Sequence, residues 1–348
     1  MSPDFSGIRV LVTGGTGFVG RHLTRALMEA GAELSCLVRA SSNRAALPDG
    51  ARPVRADLLT GAGLDDAVAG QDVIIHMAAL LFGQGWQDYL RGNALAADRL
   101  GAALQRRGDA VRRVVLVSSL AATGPSAVSP GVRDDTPPAP VSAYGWSKLM
   151  AEQTLGRRTG ERLVVLRPPI IYGSGDRGLL PYFRSARMGL IATPGLGRRF
   201  PVSAVHVRDM VQAVLLACGP AARGVYHIND GAEHTMGGIG LAIADALGCK
   251  ARVVRVPLPI MRAAAALSGL AGHAAAALAR RIPAFGPVRA PSWNPDKYLE
   301  ARQPGWLCDA WATRPPWIWR GAWPRLWQGI AATAGCSAHF VVKRQTFV

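Results

Sequence analysis

Lysine is scarce in this chain. Of 40 basic residues only Lys148, Lys250, Lys297 and Lys343 are lysines, and the rest are arginines. The arginines are spread thinly, with few dense runs and little interleaved aromatic residue before the tail. Despite a formal charge of +17, the footprint of a nucleic-acid binder is missing, so no nucleic-acid partner is expected. The same charge suits an anionic substrate or surface. Cysteine is also sparse: Cys36, Cys218, Cys249, Cys308 and Cys336 are odd in number and far apart. With no C-x-x-C and no histidine at ligand spacing, a disulfide framework and a metal centre are both excluded, which fits a reduced cytoplasmic protein.

Long apolar runs are lacking as well. Residues 1–7 lead into an apolar strand without a basic leader, which speaks against secretion. The longest candidate span, Leu258–Leu278, is broken by Arg262 and His273 and is rich in alanine. It falls short of a clean membrane span and reads as a buried helix, with association at a membrane surface the lesser alternative. Finally, Trp311–Val348 contains no aspartate or glutamate, and six of the nine tryptophans crowd between Trp306 and Trp327. A stretch with so poor a polar face does not read as an amphipathic helix. Residues 311–348 form an atypical tail, expected to be a non-native ending of the fold or disordered.

What is present is a globular composition, 49% hydrophobic and 18% charged over 348 residues, enough for one large domain or two ordinary ones. Apolar, β-branched runs at Ile8–Thr13, Glu33–Val38, Val54–Ala56, Val73–Met77, Arg113–Ser118 and Arg162–Arg167 alternate with helical stretches. This predicts an α/β fold, a Rossmann-type doubly wound parallel sheet covered on both faces. After Tyr172 the pattern loosens. The expected division is a dinucleotide-binding domain over 1–172, to which 204–230 returns, and a smaller C-terminal substrate-binding region over 173–310, interleaved with it.

Residues 13–20 read TGGTGFVG, with a strand before and a helix after. Glycines at this turn let backbone amides approach a pyrophosphate, and the helix directs its positive end at that charge. Gly14, Gly15, Thr16, Gly17, Phe18, Val19 and Gly20 are therefore assigned to cofactor binding. The second strand ends in Arg39 with no acid nearby. A carboxylate there would bind a ribose 2′-hydroxyl, whereas an arginine accommodates a 2′-phosphate. NADP(H) is preferred over NAD(H) on that ground.

The segment YGWSK places Tyr144 and Lys148 four residues apart, on one face of a helix. An ammonium beside a phenol favours the phenolate and makes the tyrosine a usable acid/base. Taken with TGGTGFVG, Asp57-Leu58, HMAA at 76–79, VSS at 117–119, RPPIIYGSGD at 167–176, AVHVRDM at 204–210 and GVYHIND at 224–230, the chain resembles an extended short-chain dehydrogenase/reductase. The branch is the NAD(P)-dependent epimerase/dehydratase one that includes 3β-hydroxysteroid dehydrogenases and dihydroflavonol reductases. The resemblance covers about residues 8–310.

It implies hydride transfer between nicotinamide and a ketone or secondary alcohol. Tyr144 would be the acid/base, Lys148 would lower its pKa and hold the nicotinamide ribose, and a strand-end serine would orient the substrate. Counting back from Gly124 selects Ser119, with Ser118 as runner-up. The resemblance further implies that Asp57 and Leu58 line the adenine, that Ala78, Ala79 and Pro168 wall the cofactor, and that Asn93 supports the site. His76 reads as structural. The Asp-Glu pair of the dehydratases is replaced by Leu120 and Ala121, so water elimination lacks its acid/base.

Substrate walls are expected at Leu80–Trp86, Thr123–Val128, Ile171–Leu180 and Leu190–Phe200, mixing apolar residues with Arg177, Arg198 and Arg199. A nucleotide sugar would use the arginines and a lipidic alcohol the apolar wall. A nucleotide-sugar epimerase with tightly held NAD, a non-catalytic NAD(P)-binding protein, and a homodimer remain open alternatives.

Overall fold

The structure is a computed structural model that describes residues 3–195, 199–281 and 290–309. Residues 311–348, where a disordered tail was expected, lie outside that range, as does Arg198.

Seven parallel strands form the main sheet. β1 (Arg9–Thr13), β2 (Glu33–Val38), β3 (Arg52–Arg55), β4 (Val73–His76), β5 (Arg113–Val117), β6 (Leu163–Arg167) and β11 (Gly224–His227) stand in the order 3-2-1-4-5-6-11. The order reverses at β1, and in such sheets a ligand binds beyond the carboxyl ends of the strands at that point. Alternate residues of each strand feed two cores. Val10, Val12, Val115 and Leu166 pack against α1 (Phe18–Glu29) and α7 (Val207–Ala217) through Leu23, Leu27, Met210 and Val214. On the other face Leu11, Ile74, Val114 and Leu116 meet α2 (Leu64–Val68), α4 (Ala96–Arg107) and α5 (Ala143–Thr159) through Leu64, Leu100, Leu104 and Leu155. Strands apolar on both faces can sit only between two helical layers, which is why these runs lack polar alternation.

Residues 204–230 divide between regions. α7 packs on the main sheet and β11 joins it, whereas β10 (Ala204–His206) pairs with β7 (Ile170–Tyr172). A smaller body packs α6 (Leu180–Arg187) and α8 (Met236–Ala246) on the pair β8 (Leu190–Pro194) and β13 (Arg252–Val256), around Ala186, Ile191, Ile243 and Ala244. A further short pair joins β9 (Pro201–Val202) to β12 (His234–Thr235). α3 (Trp86–Tyr89) runs through a π-helical turn, Leu90–Leu95, into α4. Two helices complete the described chain, α9 (Leu258–Arg281) and α10 (Pro295–Ala301).

One expectation is corrected. Leu258–Leu278 is helical, but it is not a buried helix: Ile260, Leu267, Leu270 and Leu278 are 45–68% exposed. Composition could not separate the two faces of a helix that is apolar all round. Among the described residues no helix is long and apolar enough to cross a membrane.

Candidate active site

The turn between β1 and α1 is shaped by missing side chains. Gly14 has φ +78°, and a Cβ there would lie 2.8 Å from the Ala78 amide nitrogen; one at Gly20 would overlap the Gly14 carbonyl. The Gly17 amide donates to the Gly14 carbonyl (3.0 Å), and α1 begins with no side chain capping its first amides. Gly15 is buried, and Thr16, Phe18 and Val19 are half-buried along the same loop. A cradle with no room for a Cβ at Gly14 or Gly20, with an open helix end behind it, fits a pyrophosphate. Residues 174 and 175 are tied to it, because the Ser174 carbonyl pairs with His22 Nε2 (2.8 Å) and the Gly175 carbonyl accepts from Arg21 (3.3 Å).

The neighbouring strand end supplies the second wall. Thr13 Oγ1 accepts from the Ala78 amide (3.2 Å) and shares a hydrogen bond with His76 Nδ1 (2.7 Å). Burial, with the Lys148 charge as a lesser cause, pushes His76 down to about 3, so the ring is neutral and structural. The unfolded chain takes up a proton near the ordinary 6.5 and the folded chain only near 3. Stability from this site is therefore complete above 6.5 and lost as the pH falls toward 3. Urea midpoints measured across that window should drop, and a His76→Gln variant should show a shallower drop.

Ala79 is exposed beside half-buried Ala78. Arg39 is exposed just past the end of β2, and its amide donates to Ser42 Oγ (2.9 Å). Asp57 holds its own loop by accepting from the Leu59 amide (2.6 Å), while Leu58 is buried. The buried Pro168 carbonyl accepts from the Leu120 amide (2.8 Å).

Tyr144 stands in the first turn of α5, capped by Ser142 Oγ accepting from the Gly145 amide (3.0 Å). Its ring packs edge-on against Tyr89, centroids 5.9 Å apart. The two candidate serines separate cleanly. Ser118 turns inward and donates to the Glu152 carboxylate, which Arg167 grips through Nε (3.1 Å) and Nη2 (2.5 Å). Ser119 reaches the Tyr144 phenol and accepts from the Ala121 amide (3.2 Å).

The phenol's environment corrects a second expectation. Burial pushes the Tyr144 pKa up, the Ser119 hydroxyl works against that, and Glu300 and Tyr89 raise it further. Lys148 is not among the groups acting on it. Its ammonium instead donates to the Val117 carbonyl (2.9 Å), and burial brings its pKa down to about 8, partly offset by Glu152. Desolvation of both groups outweighs the helical proximity on which the expectation rested.

Asn93 sits in the π-helical turn, where its side chain exchanges hydrogen bonds with the Leu80 backbone (2.7 and 3.1 Å) and donates to Ser147 Oγ (2.9 Å). It thereby fixes the Leu80 wall to the helix carrying Tyr144. Of the expected arginines, Arg177 is exposed and Arg199 lies 3.7 Å from Glu233.

Sequence reasoning missed α10. Asp296 accepts from the Ala143 (2.5 Å) and Tyr144 (3.3 Å) amides, and Glu300 accepts from Ser142 Oγ (2.7 Å). Lys297, paired with Glu300 at 2.9 Å, places Nζ 4.4 Å from the centre of the Tyr144 ring and 5.8 Å from that of Phe82. The sole signal was Lys297's rarity, since nothing local in NPDKYLEA points to a tyrosine some 150 positions away. A groove of about 350 Å³ lined by Leu258, Pro259, Arg262, Ala263, Ala266 and Tyr298 contains none of the residues around the phenol.

Residues 10–229 match the family model of the NAD dependent epimerase/dehydratase family. The chain is 32% identical over 270 residues to the ceramide reductase of Caulobacter vibrioides, covering 77% of this chain and 79% of that one. It is also 32% identical over 274 residues to the 4-hydroxy-2-methyl-3-oxo-4-farnesyl-3,4-dihydroquinoline-1-oxide ketoreductase of Stigmatella aurantiaca, covering 75% and 79%. Among solved structures, UDP-glucose 4-epimerase of Thermus thermophilus in complex with NAD superposes with a TM-score of 0.63 at 26% identity, over 72% of this chain and 86% of that one.

Proposed function

Because the chain belongs to the NAD-dependent epimerase/dehydratase family, and is an enzyme of it, we propose that it is an NADP(H)-dependent reductase of a lipidic ketone. The observation that carries this reading is Ser119 and Tyr144 meeting at the carboxyl edge of β5, beside a wall built from Leu80, Phe82, Tyr89 and Trp306. Two relatives named as reductases of ceramide and of a farnesylated ring support the lipidic side.

Gly14, Gly15, Gly17 and Gly20, with the open end of α1, would hold the pyrophosphate, and Arg39 a 2′-phosphate. Ala78, Ala79 and Pro168 would wall the dinucleotide, and Asp57 and Leu58 its adenine. When bound, the reduced nicotinamide supplies the hydride to the carbonyl carbon. Tyr144 delivers its phenolic proton to the carbonyl oxygen, which completes the secondary alcohol. Ser119 donates to the same oxygen and fixes its position. Lys148, cationic below about pH 8 and fixed on the Val117 carbonyl, would hold the nicotinamide ribose. Trp306 and Phe82 keep water away.

The experiment is NADPH oxidation with long-chain ketones beside UDP-sugars. Ketone-dependent oxidation is expected. Retained NAD and interconversion of a UDP-sugar without net NADPH consumption would replace the reductase with an epimerase. For the cofactor, Arg39→Ala should raise KM for NADPH by about ten- to a hundredfold, the worth of one hydrogen-bonded charge, and leave KM for NADH nearly unchanged. Equal effects on both would remove Arg39 from that role.

A further inference from the structure

α9 is built inside out. Its inner face is small: Ala265, Gly269 and Gly272 are buried, with Gly269 against Pro295 and Gly272 against Pro291. The large side chains point the other way. Ile260, Leu267, Leu270 and Leu278 are 59%, 68%, 67% and 45% exposed, and Ala263, Ala264, Ala271 and Ala274 are exposed between them. At 3.6 residues per turn these eight positions fall on one stripe. A helix apolar on both faces wants cover on both, and among the described residues nothing covers this one. An exposed apolar stripe this long marks an interaction surface.

Charge says what covers it. From Ala246 to Pro295 there is no aspartate or glutamate, whereas there are six arginines and one lysine. Arg262 and Arg281 are exposed on α9 itself, and Arg252 and Arg255 are exposed on β13, which leads into it through Pro257. A second copy is a poor partner: a two-fold interface sets each patch against itself, so these cations would meet cations with no acid to pair. A bilayer with anionic headgroups satisfies both features, with aliphatic side chains at the acyl boundary and arginines at the phosphates.

We propose that α9 docks this protein on an anionic membrane surface, lying in the interface without crossing it. The docking does not depend on which reaction the active site performs.

The test is co-sedimentation of the full chain with vesicles of phosphatidylglycerol and phosphatidylcholine in equal parts, and with phosphatidylcholine alone. Binding to the anionic vesicles should exceed binding to the neutral ones by about tenfold and weaken with added salt. The double variant Leu267→Glu, Leu270→Glu vacates no core position, so folding and NADPH binding should be unchanged while vesicle binding falls at least tenfold. Leu241→Glu, an exposed leucine on α8, should change nothing. Three outcomes would overturn the proposal: no binding to either vesicle, equal binding by the double variant, or a dimer in solution that the double variant dissociates. Vesicle binding without ketone reduction would sink the reductase reading and leave the docking intact; the converse would do the reverse.

Discussion

Tyr144→Phe should lower kcat by about a thousandfold while NADPH binding is retained. General acid catalysis by one positioned side chain is worth roughly 10² to 10⁴, and the ring can be kept while the proton is removed. The packing argues that the variant folds, because the ring contacts to Tyr89 and Lys297 do not involve the hydroxyl. Ser119→Ala acts on the same oxygen and should cost less, about tenfold to a hundredfold, since it removes a hydrogen bond and not the acid. Single-turnover rates with saturating NADPH, beside a fluorescence titration of cofactor binding, check both. Turnover within threefold of the parent for Tyr144→Phe would mean the proton comes from elsewhere.

Glu152→Ala should destabilise the fold by about 3–5 kcal/mol, the usual cost of removing one partner from a buried pair. Glu152 and Arg167 are 7% and 4% exposed and meet through two parallel hydrogen bonds. Among the described residues, loss of the carboxylate leaves the guanidinium with Thr123 Oγ1, at 3.0 Å, as its hydrogen-bond partner. It also frees Ser118, and through Thr123 it disturbs His227, which shares its Nε2 with that hydroxyl (2.7 Å) and its Nδ1 with Asp134 (2.9 Å). Urea unfolding gives the magnitude. Replacing both partners, Glu152→Leu with Arg167→Met, should recover most of the loss, because no charge is then left without its partner. A double variant as unstable as the single one would show that packing, not charge, is at stake.

Legibility of the sequence followed range. Glu33–Val38 is a strand with the bounds its run predicts, and the glycine turn lies between strand and helix as its spacing requires. Local periodicity and turn chemistry decide such elements. The choice between Ser118 and Ser119 is different in kind, since adjacent residues of an extended segment face opposite ways. Glu152 decides it, and Glu152 is recognisable as a partner only once α5 lies on the sheet. The raised phenol and the role of Asp296, Lys297 and Glu300 were illegible for the same reason: both are products of burial among residues distant in sequence. In α9 the pattern itself was ambiguous. Alanine, glycine and leucine all read as apolar, and only packing shows that the small ones face in.

The first turn of α5 contains no acid of its own, so the helix presenting Tyr144 is finished by carboxylates from Asp296 and Glu300. During synthesis the glycine cradle is therefore complete long before the tyrosine is fastened. In such a chain the residue at position 144 is held in place only when residues 296–300 have joined it.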